Sequence, residues 1–105
     1  KKAVVLTNRH SYSATNDFIN AMRYMSQVTL LGDKSGGGSG LPFTSELPNG
    51  WTVRFSASPH LNADKQQIEF GIDPDVKVDM TEEDKTRGLD TLIEAARQLL
   101  QVKPE

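Results

Sequence analysis

The sequence predicts an α/β fold built on a parallel sheet, and three features of its N-terminal third carry that expectation. Ala3-Val4-Val5-Leu6-Thr7 is short, β-branched and continuously apolar, the pattern of a strand buried on both faces. Phe18, Ile19, Met22 and Met25 recur at helical spacing, with Ser13 or Thr15 available as a cap and Asp17 placed in the first turn, where the helix dipole favours an acid. Val28-Thr29-Leu30-Leu31 repeats the buried-strand pattern and ends at Gly32. Two like strands joined by a helix form the right-handed βαβ unit of a parallel sheet.

A strand as apolar as Ala3 to Thr7 normally has neighbours on both sides, so the sheet is expected to be incomplete and the chain to be a later part of a larger fold. Beyond the second strand, Ser35-Gly36-Gly37-Gly38-Ser39-Gly40 has the composition of a flexible linker. Its place between two patterned segments argues instead for backbone held close to a ligand or to a neighbouring segment. Phe43 to Leu47 and Trp51 to Ala57 flank Pro48-Asn49-Gly50, a strong turn signal, and predict a β-hairpin. Trp51, Val53 and Phe55 alternate with Thr52, Arg54 and Ser56, so one hairpin face is expected to be buried, with Trp51 and Phe55 in the core.

Ser58 to Gln67 reads as an exposed loop, with His60 solvated, and a short extended stretch is expected around Gly71 to Asp75. Thr81-Glu82-Glu83-Asp84 resembles a capping box with Asp in the acidic position. It leads into Leu89, Leu92, Ile93, Ala96, Leu99 and Leu100, one apolar stripe that predicts a final helix packed on the sheet. No internal repeat or second core is visible in 105 residues, and residues 1–105 are read as one unit.

Composition narrows the function classes. Charged residues make up 25% and apolar residues 36%, a globular balance. The 12 basic and 14 acidic residues give a net charge of -2 with no basic stripe, which argues against nucleic acid as a partner. No apolar run approaches the roughly 20 residues that cross a bilayer, and the Lys1-Lys2-Ala3 start does not read as a signal peptide. There is no cysteine, hence no disulfide framework and no thiol nucleophile. Asp73-Pro74-Asp75 lacks a His or Cys cluster to complete a metal site, and Gly36 to Gly40 lacks the Gly-Lys-Ser/Thr ending of a phosphate loop, so no metal or other cofactor is expected.

The feature richest in chemistry is the strand-to-helix corner from Leu6 to Asp17. A serine at such a corner sits where a helix N-terminus offers free backbone N–H groups and a positive dipole end, both suited to stabilising an oxyanion during acyl transfer. Ser11, Ser13 and Thr15 are at the same time ordinary cap candidates.

The segment Val4 to Met22 is similar to the part of the C-terminal processing (tail-specific) serine peptidases in which a buried strand ending in Asn precedes a Ser-Ala-Ser-Ala-Ser-Glu run opening a helix. Leu30-Leu31-Gly32-Asp33-Lys34-Ser35 resembles the Val-Gly-Glu-Lys-Thr stretch of that family, and Gly71-Ile72-Asp73-Pro74-Asp75-Val76 resembles its Gly-Ile-x-Pro-Asp-Val signature. The resemblance implies the C-terminal part of a peptidase catalytic domain, with the later ββα units of a Clp protease and crotonase type spiral and a C-terminal helix. It implies Ser13 as the attacking residue and Ala14 N–H as one oxyanion donor, the other being a glycine N–H outside this chain. Gly36, Gly37 and Gly38 would line the substrate groove, where bare backbone lets an extended peptide pair edge to edge.

The catalytic lysine of the bacterial Phe-Gly-Lys-Gly motif is absent, since that position falls on Gly38, and Lys34 matches a different, non-catalytic lysine. The glycine-rich version resembles the tricorn-like and retinoid-binding-protein-like branch, which implies a histidine base from an upstream segment of the same parent protein and a supporting glutamate at Glu69. His10, in the turn before Ser13, is expected to point elsewhere. The reaction implied is peptide-bond hydrolysis of protein or peptide substrates through an acyl-enzyme, outside the cytoplasm. The alternative is a domain derived from the same fold that holds peptides or another ligand without turning them over.

Overall fold

A computed structural model describes residues 1–101. Strand β1 (Ala3–Thr7), helix α1 (Ala14–Met22) and strand β2 (Val28–Gly32) form the expected parallel βαβ unit, with Ala3 opposite Val28 and Thr7 opposite Gly32. A short hairpin follows, β3 (Pro42–Glu46) paired antiparallel to β4 (Thr52–Ser56). The chain then returns as β5 (Val76–Lys77), which pairs parallel to β2 and completes a three-stranded sheet in the order β1-β2-β5. Helices α2 (Glu82–Thr86) and α3 (Thr91–Leu100) end the described chain.

The core lies under α1: Ile19, Leu30, Ile68 and Ile72 are buried together, with Val5, Met22 and Val28 packed against them. Each such side chain contributes about 1.5–3 kcal/mol when fully removed from water. Phe18 and Met25 are exposed instead, and the residue that joins Ile19 on the inner face of α1 is Asn16. β1 is likewise less buried than its composition predicts, because it is the edge strand of the sheet among the described residues, and Leu6 remains 43% exposed.

Asn16 is fully buried, at 0% exposure, and its carboxamide is satisfied on both sides. Nδ2 donates to Ser39 Oγ at 2.7 Å and to the Ile68 carbonyl at 2.9 Å, and Oδ1 accepts from Ser35 Oγ at 2.5 Å. The Ser35 hydroxyl oxygen in turn accepts from Ile72 N–H at 2.7 Å. One side chain on α1 thus ties both ends of the glycine-rich segment to the segment that carries Ile68 and Ile72. Buried polar groups are tolerated only when paired in this way.

The glycine-rich segment is accordingly not a linker. Ser35 and Ser39 are buried, and the backbone between them runs past the residues before α1: Gly36 N–H donates to the Ser11 carbonyl at 2.8 Å, and Ser13 N–H donates to the Gly37 carbonyl at 2.8 Å. On its other side Gly38 N–H donates to the Glu69 carbonyl at 2.8 Å. A methyl group at Gly37 would collide with the Glu69 carbonyl, and one at Gly38 with the Tyr12 ring. Both glycines also hold positive φ, 77° and 71°.

Two expectations are corrected. The capping box and the apolar stripe belong to two helices, not one: α2 is capped by Thr81 Oγ1, which accepts from Asp84 N–H at 3.1 Å, and α2 stops at Gly88, where φ is 71°. Leu89 N–H then donates to the Asp84 carbonyl at 2.8 Å, the bond that closes a helix C-terminus around a left-handed glycine. Asp90 caps α3 by accepting from the N–H groups of Leu92 and Ile93, so Leu89 lies outside the helix. The second correction concerns the hairpin, whose alternation predicts a buried face. Both faces are exposed, including Trp51 at 71%, because the hairpin projects from a flat, elongated fold of 66 × 36 × 17 Å and its apolar face meets no second layer among the described residues. Phe43 and Phe55 pack only on each other, with ring centroids 5.5 Å apart.

Replacing Asn16 by Ala strands several buried polar atoms at once and is expected to cost about 3 kcal/mol in chemical denaturation. Asn20→Ala, on the same helix, removes an amide oxygen that already lacks a partner and is expected to cost less than about 1 kcal/mol.

Candidate active site

The corner between β1 and α1 turns sharply, and Ser13 takes the strain. Its backbone sits at φ 60° and ψ -121°, the values of the first central residue of a type II′ turn, a position normally given to glycine. Thr15 N–H donates to the Tyr12 carbonyl at 3.2 Å and closes that turn. Ser13 occupies the N-cap position of α1, yet its side chain makes no cap hydrogen bond. Its side chain has no hydrogen-bond partner among the described residues. A serine in a glycine's conformation that does not cap its own helix is held there by its surroundings, here the bond from Ser13 N–H to Gly37.

The same bond decides which amide is available. Ser13 N–H is spent on Gly37, whereas Ala14 N–H, the next along, has no acceptor among the described residues and belongs to an exposed residue at the helix mouth. The helix end adds a partial positive charge there.

Ser13 lines a cleft of about 210 Å³. Tyr12, Gly38 and Gly40 form its near wall, and Pro42, Arg54, Phe55 and Ser56, at the base of the hairpin, form the far wall. Gly36 and Gly37 do not line this cleft, and their N–H and C=O groups named above are already paired within the chain. Of the three glycines expected to border a groove, only Gly38 does so.

Glu69 borders an adjoining cleft with Ser56, Gln67 and Pro59, and its Oε1 accepts from Ser56 Oγ at 2.9 Å. Ser56 belongs to both clefts and is the link between Glu69 and the space beside Ser13. Glu69 itself lies in a turn, not on a strand.

His10 is exposed, and its backbone N–H donates to Asn8 Oδ1 at 2.8 Å. His60 is not simply solvated. Its Nδ1 lies 3.0 Å from Asp17 Oδ1, which pins the loop after the hairpin to the first turn of α1. Partial burial pushes the Asp17 carboxyl up, but hydrogen bonds from His60 and Ser39 and the charge of His60 outweigh it, and the net shift is downward from 3.8. Just past the C-terminal end of β2, hydrogen bonds from Lys77 and from Lys34 N–H hold Asp33 down as well. Among the described residues there is no cluster of His, Cys, Asp or Glu that could hold a metal ion, and no helix is long and apolar enough to cross a membrane.

Sequence reasoning pointed to the corner but missed Asn16, Arg54 and Ser56. Asn16 was visible only as one more polar residue at a helix start. The polar alternation of the hairpin marked Arg54 and Ser56 as one face, without saying that the base of this face would meet Ser13.

Residues 1–78 match the sequence model described as peptidase family S41. A provisionally named peptidase from Parabacteroides merdae has a similar structure, with TM-score 0.96 and 64% identity over 99% of this chain. The chain spans 33% of the length of that structure. Mature CPAF, in a complex with lactacystin, is similar at TM-score 0.77 and 19% identity, covering 94% of this chain and 19% of its own. The tricorn protease is similar at TM-score 0.73 and 23% identity, over 94% of this chain and 10% of its own. These last two likenesses are likenesses of fold. No curated protein matches the sequence.

Two outcomes follow from the corner and its surroundings. Ser13→Gly relieves the turn and is expected to raise stability by about 1 kcal/mol in thermal unfolding, net of the extra entropy of glycine in the unfolded chain, whereas Ser13→Ala keeps the strain and gains nothing. Asp17 and Asp33 are both held below 3.8 in the folded state. Their contribution is therefore present in full above that ordinary value and is lost as pH falls through the folded-state values. Denaturation midpoints measured across acid pH are expected to hold steady above about pH 5 and to fall below about pH 4, less steeply in Asp17→Asn.

Proposed function

The chain belongs to peptidase family S41, and on that premise we propose that it carries the nucleophilic part of a serine-type endopeptidase site. Ser13 Oγ attacks the carbonyl carbon of the scissile peptide bond. A histidine outside residues 1–105 accepts the hydroxyl proton and later passes it to the departing amine, and water then releases the acyl group from Ser13. Ala14 N–H donates to the oxyanion of the tetrahedral intermediate. Gly38 offers the substrate a wall without side chain, and Glu69, steadied by Ser56, supports the base from the neighbouring cleft.

The observation that carries this reading is the conformation of Ser13: a hydroxyl held by a strained turn at a helix mouth, in an open cleft, beside an amide with no acceptor among the described residues. A structural cap would have used that hydroxyl on its own helix. Proteins retain such strain where the surrounding structure over-determines it, and these places cluster at sites of chemistry. The remaining elements, including an upstream segment of the complete protein, residues 1–105 as the later part of its catalytic domain, and a location outside the cytoplasm, belong to the same proposal.

One feature favours the alternative of a peptide-holding domain without turnover: among the described residues Ser13 has no base bonded to its hydroxyl, and His60 is engaged by Asp17. A fluorophosphonate probe applied to the complete protein separates the two. Stoichiometric labelling that disappears in Ser13→Ala, together with a fall in peptide hydrolysis of at least about 10³-fold, is the expected result. Absence of labelling in the folded wild-type protein would assign the domain to binding.

A further inference from the structure

Arg54 lines the cleft that holds Ser13 and has no ion-pair partner among the described residues. It sits on β4 opposite Thr44 of β3, with Ser56 two residues on along the same face. Glu69 accepts from the Ser56 hydroxyl and borders the adjoining space. The lining of the Ser13 cleft consequently includes one permanent cation and no carboxylate. Guanidinium is planar and always charged, and its N–H groups match the two oxygens of a carboxylate. A cleft walled by glycine backbone, Pro42 and Phe55 with a single cation also concentrates the field of that charge.

We propose that Arg54 is a specificity-determining residue that selects peptides bearing a carboxylate close to the segment seated beside Ser13. The inference rests on the reading of this cleft as a peptide site and deepens it by naming the chemistry of the preferred substrate. The carboxylate belongs either to an Asp or Glu side chain or to a free C-terminus, two sources of the same group.

Binding tests the proposal without turnover. The Ser13→Ala form of the complete protein would be titrated with fluorescein-labelled, alanine-based peptides in three versions: an internal Glu with an amidated end, neutral side chains with a free C-terminal acid, and a fully neutral peptide. One or both carboxylate versions are expected to bind about tenfold more tightly than the neutral one, an advantage that shrinks as salt is raised. The version that gains identifies the source. Arg54→Gln should bring all three to equal affinity, and Arg54→Glu should favour a Lys-containing peptide over the Glu-containing one, an inversion that misfolding cannot produce. Equal affinities with Arg54 present, or an acid preference that survives both substitutions, would overturn the proposal. If Ser13 resists the fluorophosphonate while the Arg54-dependent preference holds, the hydrolytic reading fails and the selectivity stands.

Discussion

The buried carboxamide of Asn16 is the point on which the rest of the architecture hangs. A strand, a helix and a second strand would form without it, because apolar burial of Ile19 and Leu30 drives that unit together. Those contacts leave open where the glycine-rich segment lies. Its backbone is fixed by Ser35 and Ser39 reaching one amide from either end, and by the Ile68 carbonyl on the third side. With the segment so placed, the Gly37 carbonyl meets Ser13 N–H and the corner acquires its shape. A network of this kind adds little net stability compared with apolar packing of equal volume, but any error in register leaves a buried polar group unpaired, so it specifies one arrangement.

The corner then illustrates a local rule broken under outside constraint. Ser13 has the identity of a good helix cap and the backbone of a glycine, and it behaves as neither. In a chain optimised only for folding, propensity, turn chemistry and capping would agree at this position. Their disagreement is confined to one residue, flanked by an ordinary strand and an ordinary helix. The neighbouring elements have no such conflict: Thr81 and Asp90 cap their helices as their types predict, and Gly88 ends α2 where a left-handed residue is wanted.

Much of this was legible in the sequence because it rests on near-neighbour patterns. The βαβ unit, the hairpin and the serine-bearing corner follow from runs, spacings and turn residues, and the family follows from landmarks in order along the chain. What escaped depends on groups far apart in sequence. Asn16 contacts Ser39 and Ile68, 23 and 52 residues away, and no periodicity announces that a polar residue will replace Phe18 on the inner face of a helix. The pairing of His60 with Asp17 spans 43 residues and is equally silent. The final helix was misread for the opposite reason: the capping box at Thr81 and the apolar stripe that starts at Leu89 lie close enough to read as one helix, and that nearness masked a break at Gly88 that backbone hydrogen bonds enforce.

The hairpin gives the molecule a hydrophobic flank. Leu41, Phe43, Leu47, Trp51, Val53 and Phe55 are all exposed, and strand alternation sets them on a single side of the ribbon. Water pays a free-energy penalty along that whole side, so as a separate polypeptide residues 1–105 would be prone to self-association at concentrations where their surface charge alone would keep them apart. Handling the domain in solution is therefore governed by this ribbon far more than by the sheet or by Ser13.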